Sequence, residues 1–254
     1  MIDEESIVGA ERSLQSALGA SQLEGASFLD VGSGSSLLSL AAMRLGAGRV
    51  HSFDIDLMPV RCTALLRERH FPREVRWILE RGSAINRSYI SALGKFDIVY
   101  SWGVLHHTGA MWDALDIACS AVADGGCLCV VLYDDQGGAS RRWARIKRLY
   151  NQSPPPVPQT LVLAAGSYFE GKAALVRLIR RQNPLPVESS RSRSRERGMS
   201  KWHDLIDLVG GYPFEVARPE QVFDFCRDRG FQLQRMTTSG GHGCNEFVFT
   251  RLGH

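Results

Sequence analysis

Phe28-Leu29-Asp30-Val31-Gly32-Ser33-Gly34-Ser35-Ser36-Leu37-Leu38 decides how the whole chain is read. A short apolar run ends in an acid, turns through glycine and serine, and continues as an apolar helical pattern through Ala41, Ala42, Met43 and Leu45. This order of residues predicts a strand, a tight turn and a helix. Gly32 and Gly34 allow the sharp turn and open peptide groups to a ligand that a Cβ would block. The N–H groups at the start of the following helix have no partner within it and would face that ligand.

A second acid follows at a meaningful distance. Asp54 ends the apolar run Val50-His51-Ser52-Phe53-Asp54-Ile55-Asp56, which reads as the next strand. In a dinucleotide fold an acid about 20 residues past the glycines stands at the tip of the second strand and binds ribose hydroxyls. A nicotinamide dinucleotide wants a third glycine for close helix–strand packing, but Leu37 occupies that place. A carboxylate at Asp30 would also repel a pyrophosphate. It suits a ligand with a cationic amino-acid end.

The strand-and-helix alternation continues. Strands are expected at about 26–31, 49–54, 75–79, 96–100 and 126–133, with helices at 35–46, 59–69 and 111–122 between them. Pro59 falls in a first helical turn, where its missing N–H does no harm. A leading helix over 3–22, with Ile7, Leu14 and Leu18 on one face, would cover the sheet or the ligand cleft. Alternating strands and helices predict parallel strands with right-handed crossovers, hence a doubly wound sheet. Toward the C-terminus a helix is expected from Pro219 to Gly230, then strands over 231–237 and 245–251 joined by a Gly-rich link. The fold class is therefore α/β: a Rossmann-like, seven-stranded, mostly parallel sheet with a C-terminal antiparallel hairpin.

Asp30-Val31-Gly32-Ser33-Gly34, Phe53-Asp54-Ile55-Asp56 and Phe96-Asp97-Ile98-Val99-Tyr100-Ser101-Trp102-Gly103-Val104-Leu105-His106-His107 together resemble the successive motifs of class I S-adenosylmethionine-dependent methyltransferases. The resemblance runs from about residue 25 to 134 and resumes near 216. It implies S-adenosyl-L-methionine as cofactor, held by Asp30, Gly32, Ser33, Gly34, Asp54, Ile55, Ser83, Ala84, Ser101 and Trp102. Two departures stand out. Ser36 occupies a position where that family commonly has another glycine, and Ser83 one where it often has an acid contacting adenine.

Composition narrows the remaining classes. The chain has 254 residues, with 44% apolar and 22% charged, as in a soluble globular protein. No apolar run approaches the roughly 20 residues that span a bilayer, so no integral membrane contact is expected. The acidic start Met1-Ile2-Asp3-Glu4-Glu5 does not read as a secretion signal. Six scattered cysteines without a Cys-x-x-Cys pair argue against a structural zinc site or a disulfide framework, and no metal is expected. The simple reading is a cytoplasmic protein.

The net charge of +3 is unevenly spread. Residues 139–201 carry 14 Lys/Arg against 3 Asp/Glu, while the remainder carries 16 against 24. Three regions follow: a cofactor-binding core over 1–134, a mostly helical basic insert over 135–215, and a core-completing part over 216–254. The insert contains Pro154-Pro155-Pro156-Val157-Pro158, an apolar stretch over 159–179 and the low-complexity run Ser189 to Arg197. It is expected to act as part lid and part substrate platform. Its basic runs are either solvated surface or a seat for an anionic substrate.

The chemistry-bearing candidates gather at strand ends, where a doubly wound sheet presents its site. His106 or His107 would serve as base for a hydroxyl acceptor, or would only pack and line the cofactor. Tyr133 and Asp134, at the tip of the fifth strand, would face the acceptor. In the stretch Gly198 to Glu215, Trp202 and Tyr212 would be platforms, and His203, Asp204 and Glu215 acid–base or orienting groups. Alternatively the stretch is a helix packed on the sheet. Gly240-Gly241-His242-Gly243 reads mainly as turn glycines.

The expected activity is methyl transfer to a small or medium organic acceptor at oxygen, nitrogen or activated carbon, as in natural-product, sugar or lipid-linked biosynthesis. An RNA methyltransferase using the Arg-rich insert is the alternative. Against it, no RNA-binding module is recognisable, and Ser101-Trp102-Gly103-Val104 stands where an Asn-Pro-Pro-Tyr-like tetrad would mark amino-group methylation. Nucleic acid is thus not the expected partner, a homodimer stays open, and a non-catalytic cofactor-binding module is the third reading.

Overall fold

The computed structural model describes residues 4–19, 22–181, 201–239 and 243–253. The chain divides into two compact units, residues 3–136 with 215–254, and residues 137–214.

In the first unit, helix α1 (Glu4–Leu18) is followed by β1 (Ser27–Val31), α2 (Leu37–Arg44), β2 (Arg49–Asp54), α3 (Leu57–His70), β3 (Trp77–Arg81), α4 (Arg87–Leu93), β4 (Phe96–Trp102), α5 (Met111–Ala121) and β5 (Val122–Tyr133). The strand order, with β6 (Phe231–Thr237) and β7 (Cys244–Arg251) added, is β3-β2-β1-β4-β5-β7-β6. β1 to β5 run parallel, and β7 pairs antiparallel with both β5 and β6. The order reverses between β1 and β4, so the crevice beyond their C-terminal ends is the natural ligand site.

The central strands β1, β2, β4 and β5 are covered on both faces and largely buried, whereas the edge strand β6 alternates. Leu29, Val31, Phe53, Val99, Leu128, Val130, Phe247 and Phe249 form one core with α5, whose Ala114, Leu115, Ile117 and Ala118 are buried. The other face holds Phe28, Val50, Tyr100 and, from α2, Leu40. α1 packs on α2, burying Ile7, Leu14 and Ala17, and its Glu4 and Glu11 both pair with Arg44 at 2.6 Å.

Strand β3 begins two residues later than its apolar pattern suggests. Val75 is 84% exposed, and Arg76 folds back onto Glu74 through three hydrogen bonds. The register starts at Trp77 opposite Val50. Helix α9 (Pro219–Arg227) buries Val222 and Cys226 and takes Pro219 at its first position.

The second unit consists of α6 (Gly138–Gln152), α7 (Val157–Ile179) and α8 (Lys201–Gly210) among its described residues. Trp143 of α6 stacks on Phe169 of α7 at 6.0 Å. Lys147 is buried, donates to the carbonyl of Leu208 at 2.6 Å and lies 5.0 Å from the Phe214 ring. Burial pushes its pKa down to about 8. The outer face of α7 exposes Leu163, Tyr168, Leu175, Leu178 and Ile179. No helix among the described residues is long and apolar enough to cross a membrane. The arginine run Arg191 to Arg197 lies outside the described residues.

Candidate active site

The turn after β1 is tied to the end of β2. The N–H groups of Gly32 and Ser33 both donate to the carbonyl of Phe53, at 3.0 and 2.9 Å. Gly32 has φ +73°, and a Cβ there would come within 2.4 Å of Val104, so the segment after β4 packs directly on the turn. Gly34 has φ +51°, and nothing lies within 4 Å of where its Cβ would stand. That open space is where a ligand can approach the backbone.

Asp54 closes the turn from the opposite side. Its Oδ2 accepts the N–H of Gly34 at 3.1 Å, and its Oδ1 the N–H of Asp56 at 3.0 Å. The Gly34 amide is thus held by Asp54. A carboxylate has about four lone-pair sites, so each oxygen keeps capacity for a ribose hydroxyl.

Asp30, by contrast, is 4% exposed, and its Oδ2 accepts from Ser39 Oγ at 2.5 Å. Burial first, then the nearby charge of Asp54, raise its pKa to about 7, while the Ser39 bond opposes them. An isolated carboxyl in such a place favours its neutral form, and a cationic ligand group would restore its charge.

Beyond β2, Ile55 is 64% exposed, its carbonyl accepting from Arg81 Nε at 2.9 Å. The N–H of Gly82 donates to the carbonyl of Asp54 at 3.0 Å, placing the Ser83 turn beside the Asp54 tip. Ser83 uses its carbonyl to accept from the N–H of Asn86, which caps α4. The Ala84 side chain belongs to the core, so only its backbone is available to a cofactor.

At the end of β4, Ser101 is buried and donates to the Val31 carbonyl at 3.3 Å, bracing β4 against β1 rather than facing a ligand. Trp102 is 42% exposed and stacks on Tyr100 at 6.1 Å. His106 and His107 follow in a single helical turn (Leu105–His107). His106 is buried, its ring 3.9 Å from that of Tyr133, and its Nδ1 accepts the backbone N–H of Tyr133 at 3.3 Å. A neutral imidazole accepting at Nδ1 carries its proton on Nε2. His107 is half-buried and edge-on to Tyr133 at 5.4 Å.

Of the stretch expected to supply acid–base groups, Glu215 has a structural task. Its N–H donates to the carbonyl of His106 at 3.0 Å, and its Oε2 accepts the N–H of Met111 at 3.0 Å. It thereby caps α5, a role that Ala110 at the cap position cannot fill. His203 falls on α8 in the second unit, and its side chain, like those of Trp202 and Asp204, lies outside the described residues. His242 lies outside them too.

Two arrangements escaped the sequence reading. Asp134 accepts from Asn245 Nδ2 at 2.9 Å and from Gln136 Nε2 at 2.8 Å, while Asn245 Oδ1 accepts the N–H of Ser239 at 3.1 Å. Asp134 therefore braces the ends of β5 and β7. Asn245 is buried near the start of β7. Ser39, behind Asp30, is the other.

The comparisons with known proteins follow this geometry. Residues 11–76 match the family model of ribosomal protein L11 methyltransferase (PrmA), a span from α1 to the start of β3. Magnesium protoporphyrin IX methyltransferase (ChlM) from Synechocystis PCC 6803 with bound SAH superposes with a TM-score of 0.55 at 14% identity, over 99% of this chain and 89% of that one. This is the fold of class I S-adenosylmethionine-dependent methyltransferases. PKMT2 from Rickettsia typhi in complex with AdoHcy shares the methyltransferase fold at a TM-score of 0.59 and 12% identity, over 97% of this chain and 54% of that one. Mitomycin 7-O-methyltransferase MmcR does so at 0.52 and 13%, over 97% and 54%. No curated protein matches the chain significantly by sequence.

S-adenosylmethionine is the cofactor of this methyltransferase fold, and the residues present fit it. Open space at Gly34 admits the nucleoside, Asp54 offers two oxygens at the right spacing for a ribose diol, and Asp30 has the burial and charge to seat an ammonium. No group of three His, Cys, Asp or Glu side chains able to hold a metal occurs among the described residues.

Proposed function

We propose that this chain methylates a small or medium organic molecule at oxygen, nitrogen or an activated carbon. The supporting observation is the cluster of His106, His107 and Tyr133, which lies where β4 and β5 end, on the edge of the sheet that carries the glycine turn. Val104, two residues before His106, packs on Gly32. An aromatic and imidazole wall of this kind suits a compact acceptor bearing an ionisable proton.

S-adenosylmethionine supplies an electrophilic methyl on a sulfonium. When bound, it would give that methyl to the acceptor's lone pair, the sulfur keeping the electron pair of the broken carbon–sulfur bond. What remains for the protein is alignment, exclusion of water and removal of the acceptor's proton. In this reading His107, half-buried beside Tyr133, takes that proton. His106, buried with its Nδ1 accepting the Tyr133 N–H, fixes the base of this wall. Tyr133 packs against both rings and holds them in place.

The acceptor class draws support from two neighbours named for a porphyrin and for mitomycin. Protein methylation is the second reading, favoured by the PrmA match. That match stops before β4 and β5, where acceptor contacts are made, so it speaks for the cofactor half alone.

Incubation with radiolabelled S-adenosylmethionine and two pools, small metabolites and ribosomal protein, tests the reading. Label recovered in the small-molecule fraction is the expected result. Label confined to protein, or to added RNA, overturns it.

A further inference from the structure

Behind Asp30 runs a chain of hydrogen bonds drawn from four separate elements. Trp77 Nε1 of β3 donates to Ser52 Oγ of β2 at 2.9 Å. Ser52 Oγ and Ser39 Oγ of α2 lie 2.6 Å apart, and Ser39 Oγ donates to Asp30 Oδ2 of β1. Trp77, Ser52 and Ser39 are all at most 1% exposed, so water does not complete any of these bonds.

The direction of the chain is not free. An indole N–H can only donate, and a serine hydroxyl donates one proton. With Trp77 donating to Ser52, the Ser52 proton goes to Ser39 and the Ser39 proton to Asp30. A proton on Asp30 Oδ2 would have to reverse the last two bonds, leaving the Ser52 proton without an acceptor in a buried place.

We propose that Trp77, Ser52 and Ser39 are positioning residues, a one-way relay that fixes Asp30 Oδ2 as acceptor and leaves Oδ1 for the ammonium end of the cofactor. This rests on the reading of S-adenosylmethionine as ligand. The relay opposes two influences that favour a neutral carboxyl at this position, burial and the charge of Asp54. Among the described residues Tyr100 also interacts with Asp30, a buried phenol whose pKa burial pushes up so that it stays neutral. Satisfying two buried serines could be done by pairing them with backbone carbonyls. Here they are instead strung between an obligate donor and an obligate ligand-binding acid.

Calorimetry on the full chain with S-adenosylhomocysteine, between pH 5.5 and 8.5 and in two buffers of different ionisation heat, reads affinity and proton release together. In the wild type, affinity rises with pH toward a plateau near 7, and a proton is released on binding below it. In Ser52→Ala and Ser39→Ala the plateau moves up by about one pH unit, the tenfold effect of one hydrogen bond to a charged group. Ser52→Thr, which keeps the hydroxyl, restores the wild-type profile. At pH 8.5 the alanine variants approach wild-type affinity, which general damage to the site would not allow.

Tight binding with an unshifted pH profile in both alanine variants overturns the relay while leaving the cofactor reading intact. Absence of binding by the wild type at every pH overturns the cofactor reading itself. Should Ser52→Ala not fold, Ser39→Ala, which removes the last donor without touching the sheet, decides the matter.

Discussion

The hydroxyl of Ser36 lies 2.5 Å from that of Thr63, at a residue whose φ of +54° is a conformation that glycine adopts more readily. Thr63 donates to the carbonyl of Pro59 at 2.9 Å, so Ser36 is the donor to Thr63. The bond offsets the left-handed backbone and anchors the first turn of α2 to α3. It accounts for a serine where methyltransferases of this fold commonly carry glycine.

Ser36→Ala keeps the backbone penalty and loses the bond, so it should destabilise by about 1–2 kcal/mol. Ser36→Gly loses the bond but also the penalty and should stay within about 1 kcal/mol of wild type. Urea unfolding measures both. Equal stability of Ser36→Ala and wild type would show that the hydroxyl contributes nothing.

Asp54→Ala removes the acceptor for Gly34 and Asp56 as well as the expected ribose contact. Affinity for S-adenosylhomocysteine should fall about 100-fold, the effect of two hydrogen bonds to a charged group. Isothermal calorimetry checks this, and a loss of less than threefold would remove Asp54 from the cofactor site.

His107→Ala should lower turnover at saturating cofactor by about 10²–10⁴ while leaving S-adenosylhomocysteine affinity near wild type. His106→Ala should instead show itself in stability, by roughly 2–3 kcal/mol, since a buried ring against Tyr133 is lost. Kinetics and thermal unfolding on the same samples separate the two. Full turnover in His107→Ala would leave the acceptor's proton to water.

His51 is buried on β2 with Nε2 2.7 Å from Glu80 Oε1, yet burial outweighs the carboxylate and pushes its pKa below the ordinary 6.5. Its Nδ1 has no partner. Below pH 6.5 the unfolded chain therefore takes up a proton that the folded one resists. The His51 contribution is present above pH 6.5 and lost as pH falls through the folded value. The stability difference between wild type and His51→Gln should shrink on acidification from pH 7 to 5, as denaturant titrations at each pH would show. A difference that grows would reverse the sign.

Much of the fold was legible because central strands such as β1, β4 and β5 are apolar runs ending at turns, and helices such as α1, α5 and α9 carry a helical period. Strand β3 was misplaced because Val75 looks like a strand residue, while the Glu74–Arg76 pair that turns it outward is a matter of side-chain reach. The glycine turn and Asp54 were legible because their spacing is local. Ser39, Ser52 and Trp77 were not, because three elements must assemble before two serines and an indole meet. Glu215 suggested acid–base chemistry by type, and only the assembled core shows it capping α5. Ala84 follows the same logic in reverse, its turn position hiding a core side chain.

The chain leaves the first unit just after Asp135 and returns at Glu215, and the two crossings are stitched together. Asp135 donates its N–H to the carbonyl of Ala217 at 3.2 Å, and Ala217 donates its own to that of Tyr133 at 3.0 Å. Whatever lies between starts and finishes at one doorway, and the cost of closing a loop there grows only slowly with its length. The doorway opens at Tyr133, beside the two histidines. An intervening segment of another length could therefore be carried at the same doorway with little change in the cost of closing it.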